Sequence, residues 1–326
     1  MLFYPCDQIT STTSSPSTTT TTTTTTTGGP GWTITGNMSF AREYHTASIL
    51  INGLVLVAGG FNSRGCLNST ELYHPSTGTW TTTGNMNFAR GYHTASTLAN
   101  GLVLVAGGSN GNGSLSSTEL YNSSTGTWTI TGNMNFARDF HTASALVNGS
   151  ILVAGGSNSD ASINSAELYN PSTGTWTITE SMNVARYLHT ASTLANGSIL
   201  VAGGFNGAFL NDAELYNPLT GTWTTTGSMN VIRDRHTAST LANGSILVAG
   251  GHNSNIYLNS AELYNPSTGS WTTTGNMNVI RDRHTASTLA NGLVLVTGGR
   301  NGNVYLNNVE LYNPSTGIWT ATGNMN

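Results

Sequence analysis

"HTASALVNGSILVAGGSNSDASINSAELYNPSTGTWTIT" runs from His141 to Thr179. It holds four short β-type segments and the turns between them. His141–Val147 alternates small and apolar residues and enters Asn148-Gly149, the strongest short-range hairpin signal. Ser150–Ala154 is an apolar run that stops at Gly155-Gly156. Ser165–Asn170 leads into Pro-Ser-Thr-Gly, and Thr175–Thr179 carries a lone Trp176. Val, Ile, Thr and Tyr favour strands, and helix formers are scarce. The stretch therefore predicts an antiparallel meander of strands A, B, C and D, with a two-residue type I′ turn at Asn148-Gly149.

The same string recurs along the chain. Trp stands at 32, 80, 128, 176, 223, 271 and 319, a period of 48 residues with one interval of 47. The Gly pairs 59–60, 107–108, 155–156, 203–204, 250–251 and 298–299 keep step, as do six Asn-Gly dipeptides from Asn52-Gly53 to Asn291-Gly292. A repeat of this length made of strands points to a propeller blade. One four-stranded sheet cannot cover both of its faces, but six arranged radially can. The expectation is an all-β, six-bladed propeller over residues 31–326, behind a disordered Thr-rich tail at 1–30 that contains ten consecutive threonines, Thr18–Thr27. That tail reads as a spacer or as an O-glycosylated stalk. Seven Trp segments accompany six sets of A, B and C strands. Either Trp319 closes the last blade and Trp32 is spare, or the Trp32 segment completes it and the stretch after Tyr312 is displaced, or the repeats belong to a seven-bladed ring.

The order Arg-x-x-His, apolar strand, Gly-Gly, Glu-x-Tyr, Trp resembles the kelch repeat over about residues 32–326. The resemblance implies a β-propeller and protein binding. It also raises an alternative, because an oxidase branch similar to galactose oxidase uses a copper-radical site with a Cys–Tyr crosslink, a second Tyr and two His. The one candidate cysteine in the repeats is Cys66, for which no Tyr partner is identifiable. There is no Gly-x-Ser-x-Gly elbow, P-loop or His-Glu-x-x-His. The reading is a non-enzymatic binding propeller that needs no cofactor, with a fragment of such an oxidase as the alternative.

Composition narrows the partners. The 326 residues carry only 7% charge and a net charge of −4, and all ten basic residues are Arg. This excludes a basic nucleic-acid surface. No apolar stretch approaches the ~20 residues of a membrane span. Cys6 and Cys66 make neither a disulfide framework nor a four-thiolate metal site. "MLFYPCDQIT" is not a convincing signal peptide, whereas the Thr-rich stretch points outside the cell.

Half of the charges are locked to the repeat: Arg42, Arg90, Arg138, Arg186, Arg233 and Arg281 with Glu71, Glu119, Glu167, Glu214, Glu262 and Glu310. They read as partly buried pairs fixing each blade, against the alternative of a guanidinium ring for an anion. His45, His93, His141, His189, His236 and His284 begin the A strands and read as structural, not as metal ligands. Gly107 and Gly108 end a B strand where positive φ and close backbone approach are needed. Tyr121 and Trp128 read as packing between blades.

The unlocked residues fall elsewhere. In such a meander the D–A and B–C connections leave on one face, and nearly all variation lies in them. The candidate binding residues are Tyr44, Phe61, Arg64, Tyr92, Phe140, Tyr187, Phe205, Phe209, Arg235, His252, Tyr257, Arg283, Arg300 and Tyr305. Aromatic rings and Arg dominate binding hot spots, so this face is expected to take a protein or a glycan.

Overall fold

The computed structural model describes residues 32–159, 161–254 and 256–325. The Thr-rich tail at 1–30 lies outside them. Among the described residues there is no helix, and so none long and apolar enough to cross a membrane. Six four-stranded antiparallel sheets follow one another along the chain in a propeller arrangement. In the third blade, strand A is Thr142–Ala145, B is Ile151–Ala154, C is Ala166–Asn170 and D is Thr175–Thr179. Their register sets Thr142 against Ala154, Ile151 against Tyr169, and Tyr169 against Trp176. Trp319 lies in the D strand of the sixth blade, Ile318–Ala321.

The A–B hairpin differs from the type I′ expectation. Gly149 sits at φ +84°, but no asparagine of these turns has positive φ. The Gly149 N–H donates to Leu146 O at 2.9 Å, and the Leu146 N–H donates to Ser150 O at 2.9 Å. The turn thus ends in one left-handed glycine, the geometry of a bulged hairpin. Asn148 contributes its side chain: Oδ1 accepts the Ser150 N–H at 3.0 Å.

The core lies between blades rather than within them. Leu98, Leu104, Ala106 and Met134 on one side meet Ile151, Val153, Tyr169 and Trp176 on the other. Four further clusters repeat this set around the ring. Trp128 is 8% exposed, and its Nε1 donates to Thr70 Oγ1 of the preceding blade at 3.4 Å. The Tyr121 hydroxyl shares a 2.8 Å hydrogen bond with Thr83 Oγ1 across the same junction. The methionines of the Met-Asn turns after strand D carry no sequence signal of burial, yet Met86, Met134, Met182, Met229 and Met277 are buried in these clusters.

Gly107 and Gly108 show why the doublet recurs. A Cβ on Gly107 would stand 2.5 Å from Arg138 O and 2.9 Å from His141 Cε1. On Gly108 it would meet Gly91 O at 2.5 Å. Both have positive φ, and the Gly108 N–H donates to Arg138 O of the next blade at 2.8 Å.

Candidate functional site

The locked charges lie inside the blades. Arg138 and Glu167 pair at 2.9 Å with both side chains fully buried. Arg138 Nη1 also donates to Gly155 O and Ser165 O, at 2.7 and 2.9 Å. Glu167 accepts the Asn135 and Phe136 N–H groups at 2.7 and 3.0 Å. Each pair ties the incoming D–A loop to strands B and C of its own blade. Arg90 and Glu119 repeat the arrangement at 2.9 Å. Burial lowers the Arg90 and Arg138 pKa values, and their Glu partners oppose that shift. His141 Nε2 shares a 2.9 Å hydrogen bond with Thr94 Oγ1 of the preceding blade.

Two acids outside the locked set also belong to this frame. Asp212 stands where other blades carry Ser or Asn, and it forms a close ion pair with Arg186, which also binds Glu214 at 3.0 Å. Glu180 replaces a glycine, and its carbonyl accepts Trp223 Nε1–H at 2.9 Å.

The variable face is built in two rings. The inner ring holds the residue just before each A-strand histidine: Tyr44, Tyr92, Phe140, Leu188, Arg235 and Arg283. All six have φ between 50° and 56°. Their backbones form a chain. Each N–H donates to the previous carbonyl, from Tyr92 to Tyr44 through Arg283 to Arg235, at 3.1–3.2 Å. Sequence reasoning omitted Leu188, because an aliphatic residue gave no binding signal; its place just before His189 was the clue. The outer ring opens the B–C loops. Phe61, Phe205, His252 and Arg300 bridge backbone-to-backbone with Glu43, Tyr187, Asp234 and Asp282. Every D–A loop is thereby clamped to the B–C loop of its blade.

The side chains divide the face into two arcs. Tyr44 and Tyr92 lie 4.2 Å apart by ring centroids, and Tyr92 lies 5.2 Å from Phe61 and 4.0 Å from Phe140. The series continues through Tyr187, Phe205 and Phe209 to His252 and Tyr257, at spacings of 5.0–6.1 Å. Such tilted and edge-on contacts suit aromatic quadrupoles. The second arc is ionic. Asp234 lies 3.4 Å from Arg235 and 3.8 Å from His252, and Asp282 lies 3.2 Å from Arg300. Arg283 rejoins the aromatic arc: its Nη1 donates to the Tyr44 hydroxyl, and its guanidinium lies 5.5 Å from the Tyr44 ring centroid.

This polarity shifts ionisation. Burial raises the Asp234 carboxyl to about 6, which Arg235 opposes. Burial lowers His252, reinforced by Arg235. Burial raises the Tyr44 and Tyr92 hydroxyls. Three candidate residues lie at the margins of this face. Arg64 is exposed at the tip of the first B–C hairpin, where its N–H donates to Asn62 Oδ1 at 2.8 Å. Tyr305 is 64% exposed, and Tyr257 ends the aromatic series beside His252.

Cys66 points into a junction. Its Sγ donates to Ser109 O at 3.3 Å, and burial raises the thiol to about 11. Among the described residues no three His, Cys, Asp or Glu side chains are grouped to hold a metal ion.

The KLHDC2/KLHL20/DRC7 Kelch-repeats domain matches residues 11–184 and again 140–325. The chain belongs to the Kelch-repeat family. Kelch propellers are in general scaffolds for protein binding. Among solved structures, a fungal alcohol oxidase of the AA5 family, in complex with copper, is 20% identical with a TM-score of 0.70. That match covers 87% of this chain and 66% of the oxidase, so the chain spans about two thirds of that enzyme's length. The protein YjhT is 14% identical with a TM-score of 0.69, covering 90% of this chain and 99% of its own. Likeness at this identity shows the fold alone. No curated protein matches the chain.

Proposed function

We propose that this Kelch propeller is a non-enzymatic scaffold that takes a polypeptide partner on the face formed by its D–A and B–C loops. The observation that carries the reading is the meeting of the two arcs at His252, whose ring lies 5.3 Å from Phe209 and 5.1 Å from Tyr257 and whose Nδ1 lies 3.8 Å from Asp234. There, tilted and edge-on aromatic rings adjoin the guanidinium groups of Arg235, Arg283 and Arg300 on loops clamped to rigid blades. Rings supply apolar area at low entropic cost, and Arg supplies directed donors. Tyr257 and Tyr305 extend this surface outward. The frame residues Gly107, Gly108, Glu119, Tyr121, Trp128, Arg138 and His141 serve to hold the loops in place.

Exposed aromatic rings also stack on sugar faces, so a glycan is the second ligand class for the same face. The oxidase alternative receives no support from Cys66, whose thiol is turned toward a backbone carbonyl.

The test replaces Arg235→Asn, Arg283→Asn, Tyr257→Ser and Tyr305→Ser together. Asn tolerates the left-handed backbone at the two Arg positions. Proteins and glycans captured by the parent should be lost by the variant while its melting curve is kept. Unaltered capture would remove the face from consideration. Peroxide release with sugars or alcohols after copper loading would instead restore the oxidase.

A further inference from the structure

Five junctions between consecutive blades share one set of bonds, and the sixth lacks it. At each of the five, the second Gly of the doublet donates to the Arg carbonyl of the next blade at 2.8–2.9 Å. A Thr hydroxyl of strand A meets the next blade's His Nε2 at 2.9–3.0 Å. A Thr hydroxyl after strand D meets the next Tyr hydroxyl at 2.8–3.1 Å. Between the sixth blade and the first, the equivalents would be Gly299 with Arg42, Thr285 with His45, and Thr322 with Tyr73. Among the described residues none of these is made. Thr285 Oγ1 turns instead to Thr297 Oγ1 at 2.8 Å, and Thr322 Oγ1 to the neighbouring Gly323 O. The seam is spanned by the side chain of Arg283 reaching Tyr44.

Both walls of the seam are apolar and incompletely covered. Val103 and Tyr121 are fully buried and Trp128 nearly so, but their counterparts Val55, Tyr73 and Trp80 on the first blade are half-buried. Leu241 and Leu247 are buried, while Leu289 and Leu295 on the sixth blade are half-buried. One strand position beside the first blade is already filled. The Gly36 N–H donates to Gly78 O at 2.7 Å, as Gly84 donates to Gly126 and Gly132 to Gly174, both at 3.0 Å. The Trp32–Gly36 segment thus stands where the D strand of a preceding blade belongs. On the other wall, the Met325 N–H donates to Asn307 O at 2.9 Å, as Met277 does to Asn259. The sixth blade therefore directs the chain toward the seam with the geometry of the other five.

We propose that the seam is a docking site for one further unit of this same repeat, its A, B and C strands joined after the sixth blade and completed by Trp32–Gly36 as the D strand. The unit's Arg carbonyl would accept the Gly299 N–H, its His would meet Thr285, and its Tyr would meet Thr322. Its own strand-A Thr would meet His45.

The test appends a copy of residues 279–313 after Asn326 of the full chain. Extension should raise Tm by more than about 5 °C, protect the Gly299 amide from exchange, and bury Trp80 in a monomer. The same extension with its copies of Arg281 and Tyr312 changed to Ala should lose these gains. Three outcomes would overturn the proposal. The extension could leave Tm and the Gly299 amide unchanged. The Gly299 amide could already be protected in the unextended monomer, meaning that the sixth blade closes directly on the first. Or the amide could become protected with protein concentration as a dimer forms, meaning that a second copy fills the seam.

Discussion

Acidification from pH 7 to pH 5 should cost this propeller most of its stability, and the origin lies in the column of histidines around the axis. Burial holds His93, His189 and His284 at about 3, with the charge of the adjacent Arg adding to the shift. His141 and His236 are also lowered well below the ordinary imidazole value, again by burial first. In the unfolded chain each imidazole titrates near 6.5. The native state excludes a proton that the unfolded state binds, so stability is complete above about pH 6.5 and falls as pH drops from there toward 3. At pH 5 each such histidine costs 1.36 kcal/mol for each of about 1.5 pH units, or about 2 kcal/mol. The three held at about 3 together reach about 6 kcal/mol, and His141 and His236 add to this in the same direction, against a domain stability of about 5–15 kcal/mol. Urea unfolding at pH 7, 6 and 5 measures this directly, and its slope with pH should approach the uptake of five protons on unfolding. His141→Gln should remove one proton from that slope. A stability that moved by less than about 1 kcal/mol between pH 7 and 5 would refute the argument. So would native imidazole signals titrating near 6.5.

Other perturbations separate the parts of the frame. Trp128→Ala should cost about 3–5 kcal/mol in chemical unfolding, and Trp80→Ala at the half-covered seam clearly less. Glu167→Gln leaves the buried Arg138 without its counter-charge and should cost about 3–5 kcal/mol. Glu214→Gln should cost less, because Asp212 still neutralises Arg186; equal losses would show that the charge of Asp212 is idle. Asp234→Asn should stabilise the protein at pH 7 by up to about 3 kcal/mol, since the native carboxyl at about 6 disfavours the ionised form. That gain should vanish below about pH 4.

The period of the Trp residues, the Gly doublets and the alternating threonines made the blade legible, because strand packing repeats identically and leaves identical residues behind. Turn geometry was less legible. Asn148-Gly149 needs only one left-handed residue once the asparagine side chain caps the turn. Asp212 and Glu180 each replace an uncharged residue of the other blades, and their roles show only when the partners Arg186 and Trp223 are placed. Aligning the repeats would have found Asp212 by its position two residues before the locked Glu214. The arcs were legible as residue types on one face but not as contacts. Their order depends on Leu188 and on two carboxylates, Asp234 and Asp282, buried beneath the guanidinium groups.

Five of the six links between neighbouring inner-ring residues run through N–H and C=O groups alone, at residues sharing one left-handed conformation. Such a fastening is indifferent to which side chain it carries, provided that residue tolerates positive φ. Tyrosine, phenylalanine, leucine and arginine already occupy equivalent places. The four codons for Tyr92, Phe140, Leu188 and Arg235 can therefore be rewritten one at a time to change the chemistry of this face, and the series of peptide groups beneath them stays as it is.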